Sequence, residues 1–130
     1  MTLTEINMRR GSGILAVRWE DGLNAELPAE LLRTHSPSAE VQGHGAGPPV
    51  LVAGKKDVGF VRMDPVGNYG VKITFDDGHD SGIFSWQQLR QFAERQDELW
   101  QAYLDRLSRE GATREDSGVR LFAVKPDDSQ

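Results

Sequence analysis

The sequence contains no cysteine, and this absence removes several classes of chemistry at once. Without a thiol there is no disulfide, no cysteine-ligated zinc site, no iron–sulfur cluster held by the chain's own thiolates and no thiol nucleophile. Long apolar runs are missing too: no stretch approaches the ~20 apolar residues that span a bilayer, and the N-terminus MTLTEINMRR has no apolar core of signal-peptide length. We therefore expect a cytoplasmic protein without a membrane partner.

An excess of positive charge is also lacking. The net charge of -5 gives no electrostatic reason to expect nucleic-acid binding, and 130 residues have room for one domain with one modest core. Along the chain we predict a flexible N-terminal tail over residues 1–10 and a folded domain over 11–110. A C-terminal extension over 111–130 would hold a short strand near 118–125 and a disordered end.

Alternating apolar residues predict a first hairpin. In GILAVRWEDGLNAEL the inward side chains of two strands would be Leu15, Val17 and Trp19, then Leu23, Ala25 and Leu27. Asp21-Gly22 lies between the strands, and this dipeptide is typical of a two-residue turn in which both residues have positive φ. Pro28 suits the first position of a helix, so PAELLR predicts a short helix that stops near Arg33.

A second hairpin follows a long stretch, residues 36–56, that is rich in glycine and proline. Strand alternation resumes in DVGFVRMD and continues in YGVKITF, where four side chains are predicted to share one face: Tyr69, Val71, Ile73 and Phe75. Asp77-Gly78 repeats the turn signal, and HDSGIF would be the returning strand.

One long helix is predicted next. Ser85 and Gln88 form a capping box, Phe84 and Leu89 occupy the positions of a hydrophobic staple, and Gly111 suits the helix end. A helix of about 25 residues would be roughly 37 Å long, longer than a small sheet. Its second half carries apolar residues that need a cover: Trp100, Tyr103, Leu104 and Leu107. We expect residues 118–125 to provide it, with a partner or homodimer interface as the alternative.

The two hairpins form an internal repeat. WEDGLNAELPAELLR aligns with FDDGHDSGIFSWQQLR, with one residue inserted, and this alignment puts His79 in the place of Leu23, at the inward start of a strand. We predict an α+β fold in which two hairpin-plus-helix units form a mainly antiparallel sheet, with one long C-terminal helix packed on a face.

Five motifs resemble one known family. RWEDGL, LPAELLR, SPSAEVQGHG, DPVGNYG and FDDGHDSGIFSW occur in this order in the DUF971 family, also called the gamma-butyrobetaine hydroxylase-like N-terminal domain, and the chain resembles its small stand-alone bacterial members. In the hydroxylases of that name the domain precedes an iron- and 2-oxoglutarate-dependent catalytic domain and carries a zinc site. The resemblance implies that the four ligand positions are Ser36, Ser38, Val41 and His79.

Three of those four positions are cysteines in the family and depart from the pattern here. A serine hydroxyl is a poor zinc ligand near neutral pH and valine cannot bind, so we expect no metal and no cofactor. His79 would then hydrogen-bond the loop backbone or the hydroxyl of Ser36 or Ser38. An alternative metal site could use His35, His44 and His79, with Glu40 and Asp80 near them in sequence.

Three functions stay open at this stage. The favoured one is a non-catalytic binding or adaptor module. Relatives in which the domain is fused to P-loop ATPases of the Mrp type imply a link to iron–sulfur cluster or metalloenzyme maturation, with a P-loop ATPase or iron–sulfur assembly factor as partner. The alternatives are a metal-binding protein that uses the three histidines, and an enzyme with a pocket around His79, although no catalytic constellation is recognisable.

Overall fold

The structure, a computed structural model, describes residues 2–36, 51–77 and 82–115. Within these residues the strands are β1 (Leu3–Arg9), β2 (Ile14–Trp19), β3 (Asn24–Pro28), β4 (Phe60–Val66), β5 (Gly70–Phe75) and β6 (Gly82–Ser85). The helices are α1 (Ala29–Thr34) and α2 (Trp86–Arg109). None of the described helices is long and apolar enough to cross a membrane.

The strands form two antiparallel three-stranded sheets, in the orders β1-β2-β3 and β4-β5-β6, and each sheet is followed by a helix. This arrangement confirms the predicted α+β fold built from two hairpin-plus-helix units with a long C-terminal helix. The second unit has its three predicted strands and the first unit gains a third one, β1, so the repeat is a unit of three strands and one helix.

The N-terminal residues form a strand rather than the predicted flexible tail. β1 pairs with β2 from Leu3 to Arg9, and its register shifts between Leu3 and Glu5. This bulge changes which face successive side chains occupy, so the inward residues Leu3 and Ile6 are three apart and the period of two is lost. β4 has its bulge at the equivalent place, between Phe60 and Arg62.

The turn between β2 and β3 has three residues, where two were predicted. The Gly22 amide donates to the Trp19 carbonyl at 3.0 Å, and the Trp19 amide donates to the Leu23 carbonyl at 2.8 Å. Gly22, with φ of 94°, supplies the left-handed residue that such three-residue connections need. The helix start differs by one residue as well, because Pro28 is the N-cap of α1 rather than its first helical residue.

The predicted alignment of the repeats is wrong by one position after the second turn. Val71 pairs with Phe84 as Leu15 pairs with Leu27, so Phe84, and not Ile83, is the counterpart of Leu27. Burial agrees, because Phe84 is fully buried whereas Ile83 is 39% exposed. The extra residue therefore lies in the turn, and the inward strand position proposed for His79 has no support from the register.

The core lies between the two units and contains thirteen buried side chains that share one cluster: Leu15, Val17, Trp19, Leu27, Ala29, Leu31, Leu32, Phe60, Val71, Ile73, Phe75, Phe84 and Leu89. Most of the alternation predicted for β2 and β5 is confirmed by this set. Tyr69 is the exception: it precedes β5, and its side chain is 56% exposed.

Both ends of α2 have the predicted signals. The Ser85 hydroxyl accepts from the Gln88 amide at 3.1 Å, and the Gln88 side chain accepts from the Ser85 amide at 2.8 Å, which completes the capping box. At the other end Gly111 has φ of 68°, and the Ala112 amide donates to the Leu107 carbonyl at 2.9 Å, as in a Schellman motif.

α2 bends at Arg95, which no sequence signal indicated. Arg95 has φ of -117° and ψ of 21°, so two helical segments meet there without a proline or glycine. Directly after the bend, the Gln96 side chain donates to the Glu26 carbonyl on β3 at 3.0 Å. The second half of α2 thus begins beside the first sheet.

Reciprocal ion pairs join the two units. As the predicted alignment already had it, Arg33 and Arg90 are equivalent helix residues, and Asp21 and Asp77 are equivalent turn residues. Arg33 donates to Asp77 at 2.8 Å, and Arg90 donates to both carboxylate oxygens of Asp21 at 2.8 and 3.1 Å. Each helix arginine therefore binds the turn of the other unit, which is the reciprocity of an isologous interface.

Candidate functional site

Ser36 is the one family ligand position that the structure describes, and it is fully buried at the end of α1. A Cβ placed on Gly82 would lie 3.4 Å from the Ser36 hydroxyl, so this residue touches the first residue of β6. Ser36 and the start of β6 are thus adjacent. Ser38, Val41, His44 and His79 lie outside the described residues, and the bond proposed for His79 stays a prediction.

A zinc ion does not fit the donor set at these positions. Ser36 offers a hydroxyl from a fully buried position, and the residue at position 41 is valine, so the thiolates that normally hold zinc have no replacement there. Among residues 2–36, 51–77 and 82–115, no group of three or more His, Asp or Glu side chains could hold a metal ion.

His35 is held in place by its own helix and by two aromatic rings. Its Nδ1 lies 2.9 Å from the Leu31 carbonyl and 3.1 Å from the Thr34 hydroxyl. Phe92 and Tyr103 meet the imidazole edge-on, with ring centroids at 6.2 and 5.8 Å. Nδ1 is therefore engaged by its own helix, and the metal site proposed with His44 and His79 stays a prediction.

Tyr103 is buried against a segment from a distant part of the chain. Its hydroxyl donates to the Val52 carbonyl at 2.8 Å, and the residue is 6% exposed. Burial, with a smaller contribution from the charge of Glu30, raises the pKa of the Tyr103 phenol to about 12. The phenol is therefore neutral at physiological pH and acts as a hydrogen-bond donor.

Glu30 and Arg114 form an ion pair next to Tyr103. The carboxylate of Glu30, in the first turn of α1, is 5% exposed and accepts from Arg114 at 2.8, 2.9 and 3.2 Å. The guanidinium carbon also lies 5.1 Å from the centroid of the Trp100 ring, a cation–π distance. Hydrogen bonding to Glu30 raises the pKa of Arg114.

Two short segments, which we call the strap, bring these groups together. Residues 51–56 meet residues 112–115: the Gly54 amide donates to the Thr113 carbonyl and the Lys56 amide to the Arg114 carbonyl, both at 2.9 Å. Lys56 also pairs with Glu115 at 3.2 Å. Through Val52 and Arg114 the strap packs on α2 and α1.

The strap covers part of the second half of α2. Tyr103 and Leu107 are 6% and 4% exposed within this single chain, so the chain itself buries these two residues of the alternative interface. Trp100 and Leu104 are partly buried, with the Arg114 guanidinium over Trp100. The predicted strand at 118–125 lies outside the described residues.

The site that emerges is a buried carboxylate paired with a guanidinium that lies over an aromatic ring. We call this group of side chains the Glu30 cluster: Glu30, Trp100, Tyr103 and Arg114. A buried carboxylate beside an aromatic face can bind a cation, and here the cation is a guanidinium. Sequence reasoning missed Glu30 and Arg114, because they are 84 residues apart and no motif contains both.

The comparison with family models gives the same family that the five sequence motifs resemble. The sequence model of a family described as gamma-butyrobetaine hydroxylase-like, N-terminal matches residues 6–90. No curated protein matches the sequence.

Several solved structures resemble the chain. An NMR solution structure shares 46% identity over 94% of this chain and 98% of that chain, with a TM-score of 0.77. A second NMR structure shares 47% identity over 87% and 84%, with a TM-score of 0.74. A crystal structure of a DUF971-family protein of unknown function from Acidithiobacillus ferrooxidans shares 36% identity over 71% and 92%, with a TM-score of 0.59. The chain belongs to the gamma-butyrobetaine hydroxylase-like, N-terminal family, also designated DUF971.

Proposed function

We propose that the protein is a small cytoplasmic, non-catalytic binding or adaptor module that works without a metal of its own. The observation that supports this most is how the polar groups of the site are used. The Glu30 carboxylate holds Arg114, the Tyr103 hydroxyl holds the Val52 carbonyl, and Nδ1 of His35 faces the Leu31 carbonyl. A general base or nucleophile needs its reactive atom directed toward a substrate, whereas these atoms hold the chain together.

Exposed apolar side chains on the second unit offer a surface for a partner. The exposed large hydrophobic residues in the described part of the chain are Val61, Tyr69 and Ile83, at 42%, 56% and 39%. Tyrosine is enriched at protein interfaces because it combines apolar area with a hydroxyl. At the position equivalent to Ile83 the first unit has the charged residue Glu26, so apolar character at this place is confined to the second unit.

The partner we propose is a P-loop ATPase or an iron–sulfur assembly factor. Family members in which this domain is fused to P-loop ATPases support that class. Because the chain has no cysteine, its part in maturation of a metallocluster would be contact with the carrier rather than holding the cluster.

A quantitative pull-down from native lysate tests the proposal. Tagged wild-type protein should enrich a P-loop ATPase or an iron–sulfur carrier. A Tyr69→Ala, Ile83→Ser double variant should recover at least fivefold less of that protein. The matched control is Asn24→Ala, which changes an exposed residue on β3 of the first unit. Circular dichroism confirms that the variants are folded. Recovery of neither class, or equal recovery by all three proteins, contradicts the proposal.

A further inference from the structure

The Arg114 side chain enters the Glu30 cluster from the surface. Arg114 keeps 38% of its side chain exposed, whereas the Glu30 side chain is 5% exposed. The buried partner and the aromatic ring belong to α1 and α2, and the cation comes from a short segment directly after α2. The receiving groups are therefore parts of helices, and the guanidinium is supplied by the strap.

The geometry around the guanidinium is that of a recognition site for arginine. Two of its nitrogens, Nε and Nη2, contact the two carboxylate oxygens at 2.9 and 2.8 Å, which is the paired arrangement that a planar guanidinium allows and a lysine ammonium does not. The indole of Trp100 lies against the guanidinium, and the Tyr103 ring lies 5.5 Å from the indole.

A carboxylate this buried needs a cation. Removing one partner of a buried ion pair leaves a charge that is neither solvated nor paired, and that state is strongly unfavourable. Any guanidinium that reaches Glu30 when Arg114 leaves would satisfy the same groups. Within the strap, two backbone hydrogen bonds and the exposed pair between Lys56 and Glu115 join the segment that carries Arg114 to residues 51–56. Residues 51–56 are fixed in turn by the Tyr103 hydroxyl on the Val52 carbonyl at 2.8 Å and by the pair between Lys55 and Asp77 at 2.7 Å.

We propose that Glu30 and Trp100 form a binding site for an arginine side chain of a partner protein, and that Arg114 occupies this site in cis until the partner displaces it. This inference rests on the proposed binding function and specifies the chemistry of one contact. Because a tethered side chain has a high effective concentration, the cis occupant weakens apparent binding of an arginine added in solution. Without a partner, Arg114 therefore blocks this site.

The test measures binding of N-acetyl-arginine amide by NMR, following the indole signal of Trp100. Arg114→Ala should bind the probe at least tenfold more tightly than wild type. N-acetyl-citrulline amide, in which a neutral urea replaces the guanidinium, is the matched ligand control and should bind at least tenfold more weakly than the arginine probe. Adding Glu30→Gln to Arg114→Ala should abolish the difference between the two probes.

Several results would overturn the inference. Equal binding of the two probes to folded Arg114→Ala, or no gain over wild type, leaves a structural salt bridge only. If Arg114→Ala does not fold, Arg114→Lys keeps a cation without the paired geometry and should still bind the arginine probe more tightly than wild type. If Arg114→Lys binds the probe no more tightly than wild type, the inference is also overturned. A wild-type dimer in analytical ultracentrifugation that Arg114→Ala abolishes would assign Arg114 to a second copy instead of a partner.

The result of the arginine-binding test can be distinguished from the result of the pull-down. Failure of Arg114→Ala to bind the probe removes the arginine site and leaves the exposed surface of the second unit untouched. Failure of the wild-type chain to recover a partner removes the binding function, whatever the probe does.

Discussion

The phenol of Tyr103 should make the protein sensitive to alkali in a way that one substitution removes. Its pKa is raised from 10.0 to about 12 in the folded protein, mainly by burial. In the unfolded chain the phenol loses its proton near pH 10 while the folded protein keeps it, so unfolding releases a proton in this range. The stabilisation is fully present below pH 10 and is lost as the pH rises toward 12.

The size of this effect follows from the shift. Each unit of pKa corresponds to 1.36 kcal/mol, so about 2 kcal/mol of unfolding free energy should disappear between pH 9 and pH 12. Tyr103→Phe removes the titrating group and also the hydrogen bond to Val52, which contributes about 0.5–1.5 kcal/mol. Wild type should therefore be the more stable protein at pH 7, and the variant should become the more stable one near pH 11.

Urea unfolding followed by circular dichroism at pH values from 7 to 12 measures the difference. Tyr69→Phe is the matched control, because Tyr69 is 56% exposed, and its curve should follow that of wild type. A free-energy difference between wild type and Tyr103→Phe that stays constant from pH 8 to 12 would refute the reasoning, since it would mean that the phenol titrates alike in both states.

Three further substitutions test the fold. Gly70→Ala should lower the free energy of unfolding by about 2–4 kcal/mol, because a Cβ there would meet the Phe84 carbonyl oxygen and force two paired backbones apart, whereas Gly11→Ala, with open space around it, should be neutral in thermal unfolding. Asp21→Asn should reduce the loss of stability below about pH 4 in an acid titration followed by tryptophan fluorescence: hydrogen bonding to an arginine lowers the pKa of this carboxyl, so its stabilisation is present above pH 3.8 and lost as the pH falls further. Ser85→Ala should cost about 1 kcal/mol in urea unfolding with an unchanged slope, because it removes the cap of α2; no change in the midpoint would contradict the role of the cap.

Local patterns predicted those parts of the fold that depend on neighbouring residues. The capping box at Ser85 and the end of α2 at Gly111 were found because every residue of each motif lies within a few positions. The strand alternation of β2 was found because each of its inward residues faces one continuous core.

Features that depend on bulges, insertions or distant contacts were missed. β1 reads as a polar tail because its bulge separates Leu3 from Ile6 by three positions. The extra residue of the second unit shifted the predicted alignment of one strand by a position, so Ile83 rather than Phe84 was matched with Leu27. For the site, Glu30 looks like an ordinary helix residue until Arg114 is brought to it from 84 positions away.

The reciprocal ion pairs have a consequence for how the chain folds. The contacts that join the units link residues 44 and 69 positions apart, so neither half completes its own set of bonds before the other half has arrived. Such long-range closure is slow compared with local helix formation. Since each half supplies the arginine that the other half's turn requires, the two halves should unfold together in one cooperative transition, with no stable half-folded intermediate.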